Sequence, residues 1–188
     1  MKYVIEHLEK GIGKWCLIEY FHISAIVGKE NLIFTNMKNG KKIKLLGKTT
    51  GKKAKDFLSS VDPQKVCLLD PSADKTLLPE DRFEFLVFGG ILGDYPPKQR
   101  TKKLMADVLF QKRNLGREQM CTDTAVHVAF LIAEKGKNLS ELRFKDSVEI
   151  LMAENESVEL PYRFLLDSNN NPIIAPGLKQ YLKNKKKF

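Results

Sequence analysis

Three short runs constrain this chain more than anything else in it. Val66-Cys67-Leu68-Leu69, Phe85-Leu86-Val87-Phe88 and Val108-Leu109-Phe110 are apolar at every position. A strand with one wet face alternates apolar and polar residues, so a run without alternation needs cover on both faces. Such strands belong in the middle of a parallel sheet flanked by helices. The N-terminal region supplies a matching unit. Lys2 to His7 reads as a strand, Lys14 to Val27 as a helix with Ile18, Phe21 and Ala25 on one face, and Leu32 to Thr35 as a second strand. Gly28 stands where that helix would end. Strand, helix and strand in this order make a βαβ unit and a parallel pairing.

Two of the apolar runs lead into glycine turns. Gly89-Gly90-Ile91-Leu92-Gly93-Asp94 follows the second run, and Arg113-Asn114-Leu115-Gly116 follows the third. Glycine turns at the carboxyl ends of neighbouring parallel strands are the layout of a ligand site, because their amides face polar or anionic groups. Neither turn has the G-x-G-x-x-G spacing or a following Gly-Lys-Ser/Thr, which argues against a dinucleotide or nucleoside triphosphate. Taken singly, each turn is better explained by a packing role.

The remaining punctuation is simpler. Lys38 to Lys53 has no sustained period and is expected as an exposed excursion, followed by a short helix over Ala54 to Ser60 that Asp62-Pro63 stops. Pro79-Glu80-Asp81 could begin a helical turn, and Pro96-Pro97 a helix reaching Ala106. Thr122 or Asp123 is expected to cap a helix with Ala125, Val128, Ala129 and Ile132 as its apolar stripe. Leu142 to Leu151 and Val158 to Leu166 read as edge strands, Asn169 to Pro172 as a turn, and Pro176-Gly177 as the start of a basic helix.

Composition narrows the class. Hydrophobic content of 43% in 188 residues suits a globular protein, and no apolar run approaches the ~20 residues that would cross a bilayer. The charges in Met1 to Lys10 argue against a signal peptide. Cys16, Cys67 and Cys121 are an odd number without C-x-x-C spacing, and His7, His22 and His127 show no ligand spacing. No metal, no disulfide and a cytoplasmic location are therefore expected. The net charge is +9, much of it in Lys38 to Lys55 and in Lys183, Lys185, Lys186 and Lys187. Such runs either attract nucleic acid or serve as a solubilising loop and a frayed tail.

The second turn, read with Arg117-Glu118-Gln119-Met120 and Thr122-Asp123-Thr124-Ala125, resembles the last motif of the SPOUT-class (trefoil-knot) methyltransferases. Phe88 to Asp94 resembles the motif before it. Met1 to His7, Trp15 to Tyr20, Val66 to Pro71, Val87 to Pro97 with Arg100 and Thr101, and Leu160 to Asp167 spread the likeness over almost the whole chain. They resemble the branch that contains the yeast ribosomal-protein arginine methyltransferase. The lysine-rich segment at 38–53 and the short lysine-rich end depart from that pattern.

The resemblance implies an α/β fold of the SPOUT type, with a parallel sheet and a deep trefoil knot at about 85–135. It implies a methyltransferase domain over 1–137 and an extended C-terminal segment, 138–188, packed on it. The cofactor would be S-adenosyl-L-methionine (SAM), released as S-adenosyl-L-homocysteine (SAH). Three loops would hold it: Leu69, Asp70 and Pro71; Phe88, Gly89, Gly90 and Gly93; and Leu115, Gly116, Gln119, Met120, Thr122 and Thr124. The acceptor would be an arginine of a ribosomal protein, with Asp94, Glu6 and Glu19 as candidate carboxylates for the guanidinium. Asp94, Glu6 and Glu19 are also open to structural roles, and Asp123 reads chiefly as a helix cap. An RNA methyltransferase of the same class and a non-catalytic binding module are the alternatives. The lysine-rich segments 38–55 and 179–187 would meet rRNA. No membrane partner is expected, and monomer and homodimer both fit.

Overall fold

The computed structural model describes residues 1–38, 42–90, 108–153 and 156–184. β1 (Lys2–His7), β2 (Leu32–Thr35), β3 (Lys48–Thr49), β4 (Val66–Leu69), β5 (Phe85–Gly90) and β6 (Gln111–Arg113) form one sheet in the order β3-β2-β1-β5-β4-β6. Every pairing in it is parallel. The register sets Glu6 beside Gly89 and His7 beside Gly90, so the end of β1 reaches the first glycine turn.

Both faces of the sheet are covered, as the uninterrupted apolar runs require. Ile5, Cys67, Leu69, Leu86 and Phe88 pack beneath α1 (Lys14–Val27) and α3 (Thr122–Lys135). Val4, Val66, Leu68 and Val87 face the other way, toward Leu58 and Ala54 of the short α2 (Ala54–Phe57). Burying one such side chain is worth about 1.5–3 kcal/mol. Register is therefore fixed on two faces at once, since a slip of one residue would exchange the faces.

The third apolar run is not a central strand. β6 begins after it, at the sheet edge, with polar Gln111, Lys112 and Arg113. An edge strand is covered less than a central one and tolerates such residues. Of the run itself, Phe110 turns inward and Leu109 is 82% exposed.

The buried face of α1 also differs from the expected one. It carries Cys16, Glu19, Tyr20, Ile23 and Val27, whereas Phe21 is 53% exposed and Ala25 is exposed. Apolar residues surround this helix, so several phases satisfy a periodicity search. The true phase buries an acid that such a search rejects.

In α3, Val126 joins Val128, Ala129 and Ile132 in the core, and Ala125 is half-buried. The residue at the cap position is Cys121, without a side-chain capping bond. The threonine and aspartate after it have other partners, described below. Lys38 to Lys53 is no simple excursion either: β3 lies within it, and Ile43 and Leu46 are buried in the main core. Pro79 to Asp81 is a hydrogen-bonded turn, not a helix. The expected helix from Pro96 to Ala106 lies outside the described residues.

The C-terminal segment makes two antiparallel ribbons, β7 (Phe144–Lys145) with β10 (Phe164–Leu165) and β8 (Val148–Ala153) with β9 (Glu156–Leu160), then α4 (Leu178–Asn184). Cys121, Val148, Ile150, Leu160, Leu178 and Leu182 share a core with Trp15 and Ile18 packed against it. This core ties the segment to α1 and to the start of α3.

Candidate active site

A cavity of about 150 Å³ opens at the carboxyl ends of β4 and β5. Its walls are Leu69, Asp70, Pro71, Phe88, Gly89, Leu115, Gly116, Glu118, Gln119, Met120, Thr122 and Ala125. The ends of β4 and β5 and the second glycine turn thus meet around one space, with Gly89 its one described contribution from the first. Of the other residues singled out in the sequence, Gly90 continues β5, and Thr124 is buried one turn into α3, outside the lining. Gly93 lies outside the described residues. Glu118 and Ala125 line the cavity without having been singled out. Both interleave with expected residues, which was the available signal.

Asn114 ties the Leu115-Gly116 wall to the loop that follows Pro71. Its amide nitrogen donates to the Ala73 carbonyl at 2.8 Å, and its Oδ1 accepts from Gly116 N at 3.0 Å and from Thr76 Oγ1 at 3.2 Å. Its backbone N–H donates to Lys75 O, and its carbonyl accepts from Leu77 N. The residue is 8% exposed, so those bonds have little competition from water. They clamp the 73–77 loop against the Leu115-Gly116 turn, where Gly116 has φ +93°.

Asn114 was not singled out, although an asparagine two residues before a turn glycine is an Asx-turn signal. Asn114→Ala is expected to lower the unfolding free energy by about 1–3 kcal/mol, the usual result of orphaning buried polar groups, measured by urea denaturation. Asn114→Asp keeps the acceptor and loses the donor to Ala73. Its deficit should shrink as pH is lowered through the new carboxyl's pKa, because the protonated acid again donates. An unchanged midpoint for the alanine variant would rule out the clamp.

Further bonds fix the other walls. The Asp70 amide donates to Arg113 O at 2.9 Å, and Asp70 Oδ1 accepts from the amide and hydroxyl of Ser72, each at 2.8 Å. Thr122 Oγ1 donates to the Gly89 carbonyl at 3.3 Å, which joins the start of α3 to the first turn. The Arg163 amide donates to Gln119 O at 2.8 Å, and Met120 and Arg163 form an isolated bridge. The C-terminal segment therefore borders the cavity loop through Arg163.

Of the three candidate carboxylates, the two that are described, Glu6 and Glu19, lie on opposite faces of the sheet. Asp94 lies outside the described residues. Glu6 is buried on the α2 face, opposite the cavity's Leu69 and Phe88. Its Oε2 accepts from Thr35 Oγ1 at 2.5 Å and from Ala54 N at 2.8 Å, and burial raises its pKa.

Glu19 is buried on the other face, where Trp15 Nε1 donates to its Oε1 at 2.8 Å. Ligand atoms of Glu19, Cys121 and Asp123 all lie within 4.8 Å of one another. Cys121 and Asp123 flank Thr122, so this group stands behind the cavity wall. Burial, and then the Asp123 charge, hold the Glu19 carboxyl well above the usual range. Burial likewise pushes up the Cys121 thiol. Both groups favour their protonated forms, which are poor metal ligands.

Asp123 is no helix cap. Its Oδ2 lies 2.8 Å from His22 Nδ1, joining α3 to α1. No sequence signal links residues 101 positions apart. His7 Nδ1 lies 2.9 Å from the Tyr20 hydroxyl, and burial lowers the pKa of His7 and of His127.

Likeness to solved structures shows that the fold is of the SPOUT methyltransferase class. The yeast arginine methyltransferase SFM1 complexed with SAH aligns with TM-score 0.89 and 37% identity, over 96% of this chain and 94% of that one. SFM1 complexed with SAM gives 0.87 and 37%, over 97% and 89%. The chain belongs to the family described as protein arginine N-methyltransferase SFM1-like, whose model matches residues 2–187. Protein arginine N-methyltransferase SFM1 of Saccharomyces cerevisiae is 39% identical to it over 201 residues, covering 97% of this chain and 94% of the yeast protein.

Proposed function

We propose that this chain is a SAM-dependent protein arginine methyltransferase and that SAM occupies the cavity between the glycine turns. The observation that carries this reading is the meeting of Leu69 to Pro71, Gly89 and Leu115 to Thr122 around one space, in a chain of this family. The wall chemistry fits. Leu69, Phe88, Leu115, Met120 and Ala125 offer apolar surface to a base and a thioether chain, and Asp70, Glu118, Gln119 and Thr122 offer polar edges to hydroxyl and ammonium groups. None of the described lining residues is a lysine or arginine, so a phosphate finds no counter-charge there. Gly90, Gly93 and Thr124 are assigned to the same turns.

Bound SAM supplies a sulfonium methyl group for in-line displacement. The protein's task is to hold a planar guanidinium that stays protonated in water. A carboxylate that accepts its N–H groups fixes one nitrogen and receives the proton it loses. We assign this to Asp94 and Glu19; Glu6, held by Thr35 and Ala54 on the opposite face of the sheet, is not part of it. Glu19 stands behind Thr122, and a cation entering beside Glu19 and Asp123 would offset the desolvation that keeps Glu19 protonated.

The acceptor is placed in a ribosomal protein and the enzyme in the cytoplasm. The motif likeness supports the first, and three buried free cysteines support the second. No helix among the described residues is long and apolar enough to cross a membrane. The division into 1–137 and 138–188 is supported by the separate C-terminal core, and the knot at 85–135 by the likeness to the yeast structures. Sedimentation with and without SAM would distinguish monomer from dimer.

The decisive experiment incubates the protein with methyl-labelled SAM and ribosomes, then digests with RNase or protease separately. Label released by protease and retained after RNase is expected, with methylarginine in the hydrolysate. Label released by RNase alone would establish the RNA methyltransferase reading instead. SAM binding without transfer would point to a binding module.

A further inference from the structure

The lysine-rich segment has no part in the cavity, yet the fold builds it with care. Between Glu30 and Asp56 the sequence contains no acidic residue. Ile43 and Leu46 are 0% and 5% exposed in the main core, and Ser24 Oγ donates to Leu46 O at 2.8 Å. A Cβ on Gly47 would meet Leu32 O at 2.6 Å, so the backbone here lies directly on β2. β3 then pairs with β2, and Asn36 N, Met37 N and Thr50 N donate to Lys52 O, Thr50 O and Phe34 O.

These anchors turn Lys38, Lys42, Lys44, Lys48, Lys52 and Lys53 outward, all exposed. None of the six lies within 4.0 Å of a carboxylate among the described residues. Like charges gathered without counter-ions repel, and a solubilising loop would not need apolar pins to hold them in place. β3 lies three strand spacings from β5, roughly 14 Å along the sheet, so this face is separate from the cavity.

We propose that this edge is a docking surface for the phosphodiester backbone of RNA. Lysines act as point charges on phosphates and read no sequence. Among its described residues the segment has no long amphipathic helix, and Leu45 is the one large apolar side chain in the open, which does not suit a membrane surface. The surface stands independently of how the cavity is read. An RNA bound here would be held as a tether, away from the cavity.

The test uses the full chain and a fluorescein-labelled 20-nucleotide polyuridine, followed by anisotropy from 50 to 200 mM NaCl. Binding should weaken with salt, with log K falling roughly 0.7 per log unit of salt for each phosphate engaged. Combining Lys42→Gln, Lys44→Gln, Lys48→Gln and Lys52→Gln should weaken binding at least tenfold and flatten that slope. The pair Lys42→Gln and Lys44→Gln, which leaves β3 intact, should give an intermediate loss with an unchanged thermal midpoint. Salt-independent binding, equal affinity of both variants and the parent, or capture by phosphatidylserine vesicles in preference to the RNA would each overturn the proposal.

Discussion

Replacing Gly116 with arginine is expected to weaken SAM binding by roughly 100-fold, about 2.7 kcal/mol, while the chain remains folded. Gly116 and Leu115 both line the cavity, and φ at Gly116 is +93°, where L-residues are strained. A long side chain here fills space that the ligand needs. Its cost to folding is smaller, because nothing lies closer than 3.5 Å to a Cβ at this position, and that neighbour is the flexible tip of Arg163. Gly116→Ala separates the two effects: it carries the backbone strain, about 1–3 kcal/mol, with little bulk. Calorimetric titration with SAM reads affinity and thermal denaturation reads stability. If the arginine variant bound SAM as tightly as the parent, the cofactor would have to lie elsewhere.

Glu19→Gln should cut turnover about 100-fold, within the range for a positioned proton acceptor, and leave SAM affinity unaltered. The same change should make the protein more stable, with a pH dependence of definite sign. Burial raises the Glu19 pKa in the native state above its ordinary value of 4.5. Below that value both folded and unfolded chains hold the proton, and burial carries no penalty. As pH rises through it, the unfolded chain releases its proton and the native one does not, so stability falls until the native pKa is reached. Glutamine cannot ionise. The stability gained by the variant is therefore small near pH 4.5 and grows toward neutrality, as urea denaturation across that range would read. A gap that stayed constant with pH would mean that native Glu19 is ionised. Undiminished turnover would remove it from the acceptor site.

The parts of the fold legible in the sequence were those whose cause is local. β4 and β5 are apolar throughout because both faces are covered, and each ends where the cavity begins. β6 was misplaced because an edge strand of Gln-Lys-Arg has no apolar signature, whereas the run before it does. The phase of α1 was lost because its buried face includes Glu19, whose partners Cys121 and Asp123 come from a helix start about a hundred residues later. Asp123 shows the same limit from the other end. Its position suited a cap, and only the packing of α3 on α1 reveals His22 as its partner. Glycine marks turns whatever the tertiary context, and Gly116 stands at one of those beside the cavity. The clamp at Asn114 depends on a loop 38 to 41 residues earlier in the chain and left only the trace of an Asx turn.

Arg163 pairs by its backbone with Gln119 and Met120, and this has a consequence for how the protein comes into being. Synthesis runs from the N-terminus, so the ribosome has delivered β1 to β6 and α3 before residue 163 exists. Until then the 115–120 loop lacks the neighbour that closes its outer side. A nascent chain can assemble its sheet and still present an unfinished pocket. The outer side of this loop gains its neighbour only once the segment carrying Arg163 has folded back onto it.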